Sequence, residues 1–210
     1  MDHILEDNIS DYEIKMDGEK ASFEGGATRY TKTGKGRFDL IPKNVYESIA
    51  GQILSTRWFN FGASLISPPT VLTIVTGIHD ESNPYRFVDL IIALTIHKYG
   101  PKPDLNSMPM ISEDHFMLYF CEMERELAIH YEKGAEKYGV DNWKKGIPIT
   151  GGDRGGSFED SGLRHLNQYL RGMDDENHFI ACIWNFWCAE YTRLVEAEIE
   201  NGKLEEEGIL

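Results

Sequence analysis

The chain has 210 residues, 41% of them hydrophobic and 27% charged, with a formal net charge of −14. That is enough for one substantial soluble domain. Such acidity repels a phosphate backbone and argues against duplex nucleic acid as a partner.

The opening MDHILEDNISDYE is acidic and has no apolar core, so it does not read as a secretory signal. Residues 1–24 read as a polar, acidic mobile arm or an edge element. Residues 25–42 form a glycine-rich loop in which Arg29, Lys32, Lys35 and Arg37 stand out against the acidic background. Residues 43–60 read as a helix. The apolar stretch from Phe59 to Gly77 is broken by Ser67-Pro68-Pro69, which is too short and interrupted for a membrane span. Residues 84–99 read as another helix, and 100–109 as a linker by their Pro, Gly and Asn content.

A long helix is expected from Ser112, its N-cap, with Glu113 and Asp114 in the first turn. Phe116, Phe120, Met123, Leu127, Tyr131 and Tyr138 recur at helical spacing, and Gly139 is a natural C-cap. The GGDRGG run at 151–156 reads as a loop. A helix follows over 158–171, with Leu163, Leu166 and Leu170 on one side and Gly172 ending it. The last helix is expected over 174–198, followed by a frayed tail. Cys121, Cys182 and Cys188 lack CxxC spacing and sit in helical pattern, as reduced core thiols do.

On the last helix, Ile180, Ile183, Trp184, Trp187, Tyr191 and Leu194 cover a wide apolar arc, which implies burial on several sides. Asp174, His178 and Asn185 instead fall within about 40° of one another. The small residues Ala181 and Cys182 lie between His178 and Asn185, leaving room for a ligand or a metal. The plainer alternative is a set of buried polar groups satisfied by neighbouring helices.

On the central helix, Glu126, His130, Lys133 and Lys137 form one stripe, and Glu122 lies one turn before Glu126. Glu124 falls on the apolar face itself, where a carboxylate must be paired or hold a metal. Carboxylates from two facing helices can build a Mg²⁺ or Mn²⁺ site that recruits substrate phosphates. The alternative for each Glu is a solvated helix face.

No GxxxxGK[ST] loop is present, because Arg29 stands at the leading glycine position and Gly36 replaces Ser/Thr. The basic loop can still offer backbone N–H groups and cations to phosphates, or be a plain surface loop. The dipeptide His79-Asp80 lacks the partner residues of an HD-type phosphohydrolase. No GxSxG elbow or Cys/His nucleophile pair appears.

The segments RFDLIP (Arg37 to Pro42), YEKGAEKYGVDNWKKGIP (Tyr131 to Pro148), SGLRHL (Ser161 to Leu166) and DENHFIACIWN (Asp175 to Asn185) resemble the phage dATP/dGTP diphosphohydrolase family (MazZ-type). That family is similar to the all-α, MazG-like nucleoside triphosphate pyrophosphohydrolases. The likeness spans roughly half the chain, in order.

The resemblance implies a mainly α-helical bundle. An arm and basic loop would occupy residues 1–43, an inserted, partly helical segment 44–111, the catalytic helical core 112–200 and a tail 201–210. It implies hydrolysis of a purine deoxynucleoside triphosphate to monophosphate and diphosphate, with Mg²⁺ or Mn²⁺. MazG-like enzymes place metal ligands as EExxE and ExxD. Here Glu122, Glu124 and Glu126 lack the i, i+3 pair, and Asp175-x-x-His178 has His in place of Asp.

On this reading Glu122, Glu126, Asp175 and His178 are the metal candidates, and His178, Glu126 and Lys137 the catalytic ones. Arg37, Asp39, Lys137, Asn142, Trp143, Arg164, His165 and Asn185 are the substrate-binding candidates. Trp143 would stack on the purine and Asn142 would read its edge. Water activated at the metal would attack the α-phosphorus in line, with Lys137, Arg164 or the basic loop neutralising the leaving diphosphate. The expected setting is the cytoplasm, that of the host for a phage protein, and the expected state a homo-oligomer. Two rivals remain: a nucleotide-binding regulator without turnover, and a phage structural or interaction bundle binding neither nucleotide nor metal.

Overall fold

A computed structural model describes residues 20–22, 24, 28–30, 34–54, 82–100, 113–151 and 156–202. The arm before residue 20, Lys32, the 61–77 run, the 101–109 linker, Ser112 and most of the GGDRGG loop lie outside these residues, as does the tail beyond 202.

The chain divides into two units, residues 1–35 and 36–210. In the first, β1 (Lys20–Ser22) pairs antiparallel with β2 (Thr28–Tyr30), with Ala21 opposite Arg29. The second is helical: α1 (Lys43–Leu54), α2 (Arg86–Tyr99), α3 (Glu113–Tyr138), α4 (Phe158–Leu170) and α5 (His178–Glu200). Short 3-10 turns lie at Phe38–Leu40 and Asn142–Lys144.

Helix α5 is the axis of this unit and packs on α1, α2, α3 and α4. Its residues from His178 to Glu190 are buried except Trp184. Trp187, Phe186 and Phe179 form the aromatic centre, met by Phe87 of α2, Phe120 of α3 and Phe158 of α4. Of the wide apolar arc of α5, Ile180, Ile183 and Trp187 are buried within one chain, whereas Trp184, Tyr191 and Leu194 are partly exposed.

Helices α4 and α5 approach closely because Gly162 faces Phe186. A Cβ on Gly162 would stand 2.7 Å from Phe186 Cζ. Ser157 caps α4, its Oγ accepting from the Asp160 N–H at 3.1 Å, and Glu159 and Asp160 suit the positive end of the helix.

Helices α1 and α2 are part of the core. Val45 and Ile49 of α1 are buried one turn apart. On α2, every residue from Arg86 to Ile96 except Asp89 is buried, as expected of a helix enclosed on most sides. Polar groups of α1 tie the layers: Tyr46 donates to Glu124 at 2.6 Å, Ser48 to Glu190 at 2.6 Å and Gln52 to Asp89 at 2.6 Å. Glu190 is fully buried, and Arg193 holds it through two N–H bonds of 2.7 and 2.9 Å.

Several sequence expectations are corrected. Helix α5 starts at His178, not Asp174, because Asn177 is the cap: its Oδ1 accepts from Ile180 N–H at 3.2 Å. Asp174 lies in the exposed turn before it and leaves the His178 stripe. Tyr138 and Leu170 stand at helix ends that run past the core, and both are exposed. Cys121 is exposed on the outer side of α3, whereas Cys182 and Cys188 are buried; all three are reduced. Among the described residues, no helix is long and apolar enough to cross a membrane.

Candidate functional site

Two features lie side by side around the C-terminal half of α3 and the start of α5. The first is a cavity of about 310 Å³. Helix α3 contributes His130, Tyr131, Gly134, Ala135 and Tyr138. The following turn contributes Asp141, Asn142 and Trp143, and Ile147, Trp184 and Leu40 complete the wall.

The local sequence explains the hollow. Gly139 ends α3 at φ 92°, its N–H reaching Ala135 O at 2.9 Å, a left-handed conformation that glycine adopts freely. Asp141 then takes the left-handed region at φ 57°, which Asp tolerates better than most residues. The chain turns back and places Trp143 beneath the helix. Gly134 and Ala135 leave the space, and a Cβ on Gly134 would meet nothing within 4 Å.

Trp143 is held edge-on by Tyr191 (ring centroids 5.1 Å), Tyr131 (6.2 Å), Phe158 (6.3 Å) and Trp184 (6.4 Å). Lys144 pairs with Asp141 at 3.2 Å and lies 5.4 Å from the centre of the Trp143 ring. This makes Trp143 both a core anchor and a cavity wall.

The second feature is a cluster of imidazoles and carboxylates where α4 meets the start of α5. His165 Nδ1 lies 3.2 Å from His178 Nδ1. Glu176 Oε1 lies 3.0 Å from the first and 3.3 Å from the second. The other face of His178 donates Nε2–H to Asp175 at 2.8 Å. His178 is 2% exposed and His165 13%, whereas Asp175 and Glu176 reach solvent. Hydrogen bonding to His178 holds the Asp175 carboxyl below its usual range. Burial lowers the His165 imidazole, opposed by the nearby Glu176 charge.

His130 joins the two features. It lines the cavity, its ring is 5.7 Å from that of Trp184, and it senses the charges of Glu176 and His165. Burial pushes its pKa down to about 4, so it is neutral at pH 7.

The structure sorts the residues singled out in the sequence. Asp175, His178 and His165 converge. Glu126 joins them at one remove: its carboxylate accepts from Tyr99 at 2.8 Å and from Asn177 at 2.8 Å, and Asn177 caps the helix that begins at His178. Glu122 is exposed on the same helix and 3.5 Å from Arg125. Glu124 is paired with Tyr46, which resolves its place on the apolar face. Asn185 is buried and returns its amide N–H to Ala181 O at 2.8 Å. Asn142 and Trp143 line the cavity.

Arg37 and Asp39 form a two-bond fork of 2.8 and 2.6 Å, on the turn that carries Leu40 into the cavity wall. That turn is docked by Arg37 N–H on Ala128 O and by Gly36 N–H on Glu132, both at 3.0 Å. Arg164, beside His165, is exposed. Lys137 is exposed and lies 4.8 Å from the Tyr138 ring centre.

Sequence reasoning missed Glu176 and Asp141 as site residues, and it assigned no role to His130 although its stripe was noted. Glu176 precedes α5, so no helical projection could place it. The signal available was the unbroken Asp174-Asp175-Glu176 run next to His178.

No curated protein and no solved structure matches the chain. The family model described as dATP/dGTP diphosphohydrolase, N-terminal, matches residues 110–201. That segment contains the whole imidazole–carboxylate cluster and all of the cavity wall except Leu40. Residues 110–201 thus match the N-terminal domain of the dATP/dGTP diphosphohydrolase family.

Proposed function

We propose that the chain hydrolyses purine deoxynucleoside triphosphates to the monophosphate and diphosphate. The observation that carries this reading is that one family-matched segment holds an aromatic cavity and, joined to it by His130, a cluster of ionisable groups. A purine is a flat aromatic ligand with a polar edge. The cavity offers Trp143, Trp184 and Tyr138 as apolar surface, with Asn142 and Asp141 to take edge hydrogen bonds.

The triphosphate extends toward the cluster. A divalent cation fits there, because two imidazole nitrogens and one carboxylate oxygen lie within coordination distance of a common point. His165, Glu176 and His178 would hold it, and it would neutralise charge on the triphosphate oxygens. Asp175 fixes the His178 ring through Nε2–H. Glu126 acts through Asn177, as a positioning residue for the helix start. Lys137 and Arg164 are exposed cations that assist the departing diphosphate.

In the reaction, water adds to the α-phosphorus, the α–β bridging P–O bond breaks, and diphosphate leaves. The proton of the attacking water passes to a carboxylate of the cluster.

The test is to incubate the full chain with each common deoxynucleoside and ribonucleoside triphosphate, with Mg²⁺ and with Mn²⁺, and to follow products by ³¹P NMR. The expected products are a purine deoxynucleoside monophosphate and diphosphate. Nucleotide bound but unchanged would favour the regulatory alternative. Inorganic triphosphate with free nucleoside, or diphosphate nucleotide with phosphate, would overturn the assigned bond cleavage.

A further inference from the structure

We infer that His165, His178 and Glu176 form a three-ligand site selective for a first-row transition-metal dication of the Zn²⁺ or Co²⁺ kind over Mg²⁺. The inference rests on the proposed hydrolase for its purpose but not for its geometry.

The three donor atoms form a nearly equilateral triangle with edges of 3.0, 3.2 and 3.3 Å. Tetrahedral sites with bonds of about 2.0–2.1 Å have donor–donor edges of about 3.3 Å. A metal equidistant from the three donors would sit about 1 Å off their plane at that bond length. The triangle is therefore close to one face of a coordination polyhedron, with little movement required. The two rings are inclined by only 31° and meet through their Nδ1 edges.

Proton placement points the same way. The Asp175 carboxylate accepts only, so the hydrogen of a neutral His178 ring resides on Nε2. Its Nδ1 then presents a lone pair to Glu176 Oε1, itself an acceptor, at 3.3 Å. His165 Nδ1, 3.2 Å from His178 Nδ1 and 3.0 Å from Glu176 Oε1, can set one N–H between these acceptors, and a metal cation can take the same place. Asp175 on the far nitrogen is the carboxylate–histidine arrangement that orients metal-bound imidazoles.

Donor chemistry sets the selectivity. Mg²⁺ favours an octahedron of oxygens and keeps its waters, whereas imidazole suits Zn²⁺ and its neighbours. Glu176 is about half exposed, so the remaining coordination positions open to solvent. Three protein ligands with an open side is the arrangement of a reactive site, not a closed structural one.

The test uses the chelator-treated full chain without nucleotide, titrated with Co²⁺ and followed by visible absorption and calorimetry. The expected result is one equivalent bound, with the d–d bands of a nitrogen-containing site of low coordination number. Zn²⁺ should displace it and millimolar Mg²⁺ should not. Glu176→Gln and His165→Ala, both at partly open positions, should each weaken binding about 10- to 100-fold with the far-UV spectrum unchanged; His178→Ala should abolish the bands. Absence of binding, bands unchanged in the His165 and Glu176 variants, or displacement by Mg²⁺ would overturn the site. Co²⁺ binding in a chain that turns over no triphosphate would leave this site standing and remove the hydrolase. Turnover with Mg²⁺ alone in a chain that binds no Co²⁺ would do the reverse.

Discussion

Asn177 donates its amide N–H to Glu126 at 2.8 Å while its Oδ1 accepts from Ile180 N–H at 3.2 Å. One side chain thereby fixes the start of α5 and anchors it to α3, next to His178. Asn177→Ala should cost about 1 kcal/mol, the usual loss for an N-cap. Asn177→Asp should retain the cap but oppose Glu126 with a second carboxylate. Urea unfolding of both variants checks this. Equal stability of all three proteins would mean that the cap contributes nothing.

The contact of Gly162 with Phe186 predicts a size limit. Gly162→Ala would push a methyl group against the Phe186 ring and should destabilise the fold by about 1–3 kcal/mol, the range for overpacked cores. Phe186→Leu combined with Gly162→Ala should recover part of that loss. A double-mutant cycle by chemical unfolding measures the coupling; simple additivity of the two losses would contradict a direct clash.

Gly134 allows binding and folding to be separated. Its Cβ position is open and it lines the cavity from a helix interior. Gly134→Leu should leave stability equal or raised by up to about 1 kcal/mol, since leucine forms helix better than glycine. It should also occupy the space assigned to the base. KM for the nucleotide should rise about tenfold or more with kcat changed less. An unchanged KM would move the base elsewhere.

Stability should fall in mild acid through His130. Its folded pKa, pushed to about 4 by burial, lies below the ordinary value of 6.5. As pH falls below 6.5 the unfolded chain binds this proton first, so stability is lost progressively until pH reaches about 4. The full shift corresponds to about 3 kcal/mol at one site. His130→Gln should flatten the dependence between pH 6.5 and 4. Parallel curves for the two proteins over that window would assign the acid sensitivity to other groups.

The sequence disclosed the helices because their signals are local. Gly139 and Gly172 mark ends, and Met123, Leu127 and Tyr131 keep helical period along a buried face. It misplaced the start of α5 because Asp174, Asp175 and Asn177 can all cap a helix, and only the observed bond to Ile180 decides among them. His178 and Asp175 were legible as an i, i+3 pair. The approach of His165 was not, since it depends on how the turn 171–177 folds α4 back on α5. The core role of α2 was also hidden, because an all-round apolar helix has no periodic face to show its partners.

The central claim is that His178 belongs to a reacting site rather than to the packed core alone. The most direct measurement is turnover of a purine deoxynucleoside triphosphate by His178→Ala, expressed per folded molecule, with the melting temperature taken on the same preparation. The expected result is a fall in kcat/KM of about 10²-fold or more, the scale of lost metal or acid–base function. The expected change in melting temperature is too small to account for it. A lowered melting temperature with turnover per folded molecule unchanged would contradict the account and leave His178 a satisfied core histidine.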